Sequence, residues 1–266
     1  MSDFILRAIT EPGPDEVAAF GPRGDGKTQG AFGAMVGHAQ RHAAAGFALP
    51  VEWMGVADFF ISHELKTIRS LKESHWRGLW ELRGGGHLAV FAVGGVELVH
   101  LHLFGVEDAK GQDRMRMGVH AMWFEEPAPA SVMVQSAGLN DTAWGIGITS
   151  CRLPSYRHPK IMTLNYPDVD HWTWERFVGD QTAMSGPGVY PGTAYVRIEP
   201  GEYASAEQRA EWERALANRP DMLRRLLRGQ PGALALGPQV AVGFNRDAHV
   251  RPCRPVRGFP VWIGQD

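Results

Sequence analysis

The chain is short of cysteine, carries no excess of either charge and has no long apolar run, and each shortage removes a class of protein. Two cysteines, Cys151 and Cys253, among 266 residues are too few for a disulfide framework and lack the C-x-x-C spacing of a thiolate metal site. Both read as ordinary buried thiols of a reducing, cytoplasmic compartment. Lys and Arg number 27 against 29 Asp and Glu, a net charge of -2. No global basic field marks a nucleic-acid binder, and any such contact must be local. No stretch approaches the roughly 18 unbroken apolar residues of a membrane helix, and MSDFILRAITEPGP at the start lacks the basic-then-apolar order of an export signal. Neither membrane insertion nor export is predicted. No repeat recurs at a fixed period, which argues against a solenoid or propeller.

What is present is a hydrophobic content of 44%, enough for a sizeable core, arranged as short apolar runs alternating with helical stretches. That alternation predicts a mainly parallel sheet with crossover helices on both faces. Strands are predicted at EVAAF (Glu16 to Phe20), VEWMGVADF, HLAVFAV, ELVHLHLF, VHAMWF, WGIGIT, KIMTLN and TAYVRIEP. Helices are predicted at QGAFGAMVGHAQRHAAA, through SHELKTIRSLKESHW, between Val132 and Leu139, and twice between a capping box at Ser205 to Gln208 and Arg228. The texture changes after Gly192, so the expected organisation is a core over 1–195, a small subdomain over 196–258 and a terminal strand over 259–266.

Between the first strand and the first helix lies Gly21-Pro22-Arg23-Gly24-Asp25-Gly26-Lys27-Thr28, which fits G-x-x-x-x-G-K-[ST]. Glycines let successive backbone N–H groups curl around a β-phosphate while the helix N-terminus adds partial positive charge. Lys27 is expected to reach the β- and γ-oxygens, and the Thr28 hydroxyl to hold Mg2+. Arg23 reads either as a second cation at the γ-phosphate or as a solvated loop charge.

A second constellation is the apolar strand ending in Glu125 and Glu126. A strand end beside a phosphate loop is where a metal-binding acid and a water-activating acid stand. Glu125 is assigned to the metal shell and Glu126 to orienting and deprotonating the attacking water; alone, the same pair before Pro127 reads as a solvated turn. Arg114 and Arg116 precede this strand, and they read as surface arginines or as guanidinium groups that stabilise transferring phosphoryl charge. Other features have plain readings. His100 and His102 share one strand face and are expected to pack, Trp76, Trp80, Trp172 and Trp174 to anchor the core, and Arg219, Arg224, Arg225 and Arg228 to lie on a solvated helix face that could also touch nucleic-acid phosphates.

GPRGDGKT, the acidic strand and MTLNYPDVDHWTWERF (Met162 to Phe177) together resemble the large terminases of tailed double-stranded DNA phages, over a stretch from about Glu16 to the C-terminus. The resemblance implies a P-loop ATPase of the additional catalytic glutamate type that binds ATP and Mg2+ and drives double-stranded DNA into a procapsid. It further implies a homo-oligomeric ring working with a portal protein and a small terminase subunit. Thr163 and Asn165 match the family's γ-phosphate sensor, Arg116 its arginine finger with Arg114 in reserve, and the closing VWIGQD, with Asp266, the first strand of an RNase H-like nuclease. The pattern departs at Met117, where a glycine is usual, at Glu125, where Asp is commoner, and at Tyr166, which separates Asn165 from Pro167. A helicase-like ATPase and a non-hydrolysing nucleotide-binding protein are the competing readings.

Overall fold

Runs of Val, Ala, Met, Ile and aromatic residues, about five residues long and closed by Gly, Pro or a carboxylate, favour extended backbone over helix. Such runs form β1 (Glu16–Phe20), β2 (Val51–Ala57), β4 (Leu88–Val93), β5 (Val96–Gly105), β6 (Ala121–Glu125), β7 (Lys160–Leu164) and β9 (Thr193–Arg197), and two short segments of other composition, β3 (Trp80–Arg83) and β8 (Ser185–Pro187), join them. The structure is a computed structural model and describes residues 13–22, 26–106, 109–128, 138–169, 171–198 and 205–231, all of them within one unit, Met1–Leu234. The described strands make one sheet in the order β3-β4-β5-β2-β6-β7-β1-β9-β8. Neighbours from β5 to β9 run parallel, and β3, β4 and β8 add antiparallel edges. Gly94 and Gly95, at φ 58° and 80°, make the two-residue turn from β4 to β5 that demands positive φ at both positions.

The helical elements are α1 (Lys27–Ala44); α2, a continuous segment made of Phe60–Ser62, a π-helical turn His63–Ile68 and Arg69–Glu73; α3 (Ala109–Arg114); α4 (Asp141–Ser150); α5 (Trp172–Phe177); α6 (Ala206–Ala215); and α7 (Pro220–Leu227). Successive strand residues point to opposite faces, and both faces are buried. Trp53, Trp123 and Ile161 meet Phe32 and Met35 of α1 and Leu71 of α2 on one side. Met54, Phe124 and Met162 meet Trp144 of α4 and Trp174 and Phe177 of α5 on the other. A sheet covered on both faces explains the near-continuous apolar strands.

Several expectations need correction. WGIGIT is not a strand but the body of α4, whose start is fixed by Asn140 accepting a hydrogen bond from the Ala143 N–H at 2.8 Å. Six apolar residues fit either period, and the Asn-Asp cap decides for helix. Gly147 lets α4 lie on the sheet, since a Cβ there would stand 2.5 Å from the Met122 sulfur. The segment after β2 is not one α-helix to Trp76. It takes a π turn and ends at Glu73, and the unanticipated β3 follows. The helix expected near Val132 falls mostly on 129–137, and Cys253, Asp266 and the terminal strand on 232–266, all outside the described residues. No described helix is long and apolar enough to cross a membrane.

Candidate active site

The order of the parallel strands decides what can meet. β7 lies between β1, which leads into the phosphate loop, and β6, which ends in the two acids. Whatever stands at the carboxyl end of β7 is therefore interposed between loop and carboxylates, and Leu164 there is followed by Asn165.

α1 opens at Gly26, which takes φ 70° without a side-chain cap, and the first turn of α1 carries no acidic residue. The positive end of its dipole is a setting that suits an anion. Arg23, Gly24 and Asp25 lie outside the described residues, so the loop is seen at Gly21, Pro22 and Gly26. The Lys27 ammonium donates to the Gly21 and Pro22 carbonyls at 2.9 and 2.6 Å and reaches the Asn165 side-chain oxygen at 3.5 Å. Asn165 in turn donates from its backbone and side-chain nitrogens to one Glu126 oxygen at 3.1 and 2.9 Å. Lys27, Asn165 and Glu126 thus form one connected row.

Glu126 takes φ 51°, the one positive value at a described residue other than glycine. A left-handed conformation costs a glutamate about 1–2 kcal/mol, and such strain clusters at functional sites. Its N–H is held by the Thr163 carbonyl at 2.8 Å.

Glu125 is 3% exposed. It accepts from the Thr28 hydroxyl at 2.9 Å on one oxygen and from the Thr163 hydroxyl at 2.6 Å on the other. Thr163 itself accepts from the buried Trp123 indole at 2.7 Å. Burial, and after it the charge of Glu126, pushes the Glu125 carboxyl well above the usual carboxylate range. A threonine hydroxyl beside one carboxylate is a donor set that suits Mg2+, which keeps several waters and takes further oxygens from substrate phosphates. No cluster of three or more His, Cys, Asp or Glu side chains able to hold a metal occurs among the described residues.

These groups line a cleft of about 660 Å³, within the 300–1,000 Å³ usual for small-molecule sites. Sequence reasoning missed two of its walls. One is α2, which contributes Leu65, Lys66 and Arg69, and the other is α7, which contributes Met222 and Leu226. Both are helices without a motif, and only the tertiary fold brings them to the loop. α7 also carries Arg225, expected on a solvated face but 3% exposed. Its Nε donates to the Tyr166 carbonyl at 2.8 Å and it lies 3.6 Å from the Asp168 carboxylate. The residue after Asn165 is thereby tied to α7.

Arg114 and Arg116 are not brought to the site. Both are exposed, Arg116 is 3.6 Å from Asp113, and neither lines the cleft. His100 and His102 do not simply pack; they bracket Glu52 at 3.1 and 2.6 Å. Cys151 is partly buried, and burial pushes its thiol up to about 12.

No family model matches the chain, and no curated protein matches its sequence. Solved structures do. A large terminase from a thermophilic bacteriophage superposes with a TM-score of 0.62 at 14% identity over 96% of this chain and 58% of its own. The same protein in complex with ADP gives 0.57 at 13% identity over the same shares, and in complex with ATP-gamma-S 0.50 at 11% identity over 80% of this chain and 48% of its own. The chain therefore shares the fold of these phage large terminase structures, and it spans 58% or less of the length of these terminase chains.

Proposed function

We propose that the chain is the ATP-hydrolysing motor of a phage large terminase and moves double-stranded DNA into a procapsid. One observation carries the reading: a lysine at the head of an uncapped helix, an asparagine and a strained glutamate stand in one hydrogen-bonded row at the carboxyl edge of a terminase-like sheet. That arrangement supports attack by water on a terminal phosphate. The loop amides and Lys27 hold the phosphates, and Glu126 orients the water and takes its proton. Thr28 and Glu125 would hold Mg2+, which supplies charge neutralisation at the phosphates.

Coupling follows from what Asn165 touches. It contacts both Lys27 and Glu126, and the next carbonyl along the chain is gripped by Arg225. A change in nucleotide state at Asn165 is thus carried to α7, within the segment proposed as a small subdomain over 196–258. Arg219, Arg224 and Arg228 are exposed there and would meet DNA phosphates without reading sequence. An arginine from a neighbouring subunit, Arg116 or Arg114, would complete the site in a homo-oligomeric ring, and the portal and small terminase subunit would be its partners.

The decisive experiment is steady-state ATPase activity with and without double-stranded DNA, at two salt concentrations. Turnover that rises with DNA, and less so at high salt, supports the motor. DNA-independent turnover removes translocation from the reading, and binding without turnover turns it into a nucleotide-responsive interaction protein.

A further inference from the structure

The cleft holds a cation that neither the phosphate loop nor the acidic strand supplies. Lys66 of α2 lines the same cavity as Lys27, Thr28, Glu125 and Glu126, and its charge acts on Glu125 against the effect of burial. Arg69, one turn further, is neutralised by Glu73 at 2.7 Å. Lys66 makes no ion pair with a carboxylate among the described residues. Lys27, by contrast, belongs to the phosphate loop itself and donates to the Gly21 and Pro22 carbonyls.

The backbone under Lys66 is built for presentation. Residues His63–Ile68 form the π-helical turn, a feature that costs hydrogen-bond quality and recurs at functional sites. It is pinned from below by His63 and Thr67, both fully buried and 3.0 Å apart through Nδ1 and Oγ1. Anchoring that side inward leaves Leu65 and Lys66 exposed on the other, at the cleft. The His63 ring also lies 6.3 Å from that of Trp123. Trp123 holds Thr163, and Thr163 holds Glu125. The turn that carries Lys66 is therefore registered, through buried groups, to the carboxylate at the centre of the site.

We infer that Lys66 is a second phosphate-binding cation, which contacts the terminal phosphate of a bound nucleoside triphosphate from within the same chain. The inference rests on the nucleotide-site reading above. It places a lysine of α2 in the γ-phosphate role that the sequence offered to Arg23, Arg114 and Arg116. An ammonium on a flexible stem serves as a point charge for a phosphate oxygen, and it offsets the carboxylates that would otherwise repel the triphosphate.

The test compares equilibrium binding of ATP-gamma-S and ADP, each with Mg2+, to the wild-type chain and to Lys66→Ala, Lys66→Arg and Lys27→Ala. Lys66→Ala is expected to weaken ATP-gamma-S by about tenfold or more, as for one lost charge-assisted contact, and to leave ADP within about twofold. Lys66→Arg should recover most of the loss. Equal weakening of both nucleotides would mean that Lys66 only supports structure, and unchanged binding of both would mean that it touches no phosphate; either result overturns the inference. If Lys27→Ala abolishes binding while Lys66→Ala does nothing, this inference alone fails. If the wild-type chain binds neither nucleotide, the site reading fails with it.

Discussion

The two ends of the parallel strands share one backbone and one core, yet their polar groups are used in opposite ways. At the amino ends, charged and ring groups satisfy one another. Glu52 bridges His100 and His102, its N–H is taken by His120, Arg157 pairs with Asp15 at 2.8 Å, and Arg176 and the Trp144 indole both donate to Glu16. At the carboxyl ends the same kinds of group converge around open volume instead. Two adjacent acids, two lysines and a helix N-terminus without a side-chain cap line one cleft. Paired groups at a closed edge stabilise a fold, whereas charged groups that line an open cleft leave room for a ligand among them. This is the physical content of the rule that open α/β sheets bind ligands outside the carboxyl ends of their strands.

The largest effect should come from the carboxyl end. Lys27→Ala removes the cation at the head of α1, and ATP turnover is expected to vanish together with nucleotide binding; persistent hydrolysis would take the phosphate site away from this loop. Glu126→Gln is next. It keeps shape and removes the base, so turnover should fall by about 10²–10⁴ while nucleotide affinity stays, as measured by single-turnover hydrolysis beside equilibrium binding. Unchanged turnover would point to another base.

How much of this was legible in the letters differs between the same two edges. Lys27, Thr28, Glu125 and Glu126 sit in local patterns whose spacing reflects the loop and the strand end, so their meeting needed only the βαβ order. Lys66 and Arg225 belong to no pattern. Their positions depend on a π turn and on a helix far along the chain folding back over Asn165, both of which are tertiary events. The same limit applies to WGIGIT, where a six-residue apolar run carries no period and the cap at Asn140 was the informative residue. At the amino edge, His100 and His102 showed strand alternation, but their partner Glu52 lies on a strand some fifty residues upstream, and only the parallel register of β2 with β5 reveals it.

Arg225 sharpens the comparison, because it is a buried, ion-paired charge placed beside the open cleft. Its replacement by Leu leaves Asp168 and the Tyr166 carbonyl buried without their guanidinium, at a cost of about 3–5 kcal/mol. Arg224→Ala and Arg228→Ala, both at exposed positions, should stay within about 0.5 kcal/mol. Urea unfolding of the three variants measures the contrast. Equal, small effects would mean that α7 is not held to Tyr166, and the proposed path from Asn165 to that helix would be lost.

The smallest effect belongs to the amino edge and appears only on acidification. His38 is fully buried on α1 and packs against His42, with His120 and His158 nearby. Burial, and then the charge of His42, lowers it to about 3. In the unfolded chain it titrates near 6.5, so between these values the unfolded state binds more protons and stability falls as pH falls. Each such group contributes a slope of up to about 1.4 kcal/mol per pH unit. Urea unfolding at pH 7, 6 and 5 should show this loss, and His38→Gln, which keeps a donor for the Arg157 carbonyl that His38 Nε2 meets at 3.3 Å, should flatten the slope by about one proton without altering nucleotide affinity. A slope unchanged by His38→Gln would show that the ring already takes up its proton in the folded protein. A change in nucleotide affinity would show that the two edges are coupled through α1, which carries His38 near one end and Lys27 at the other.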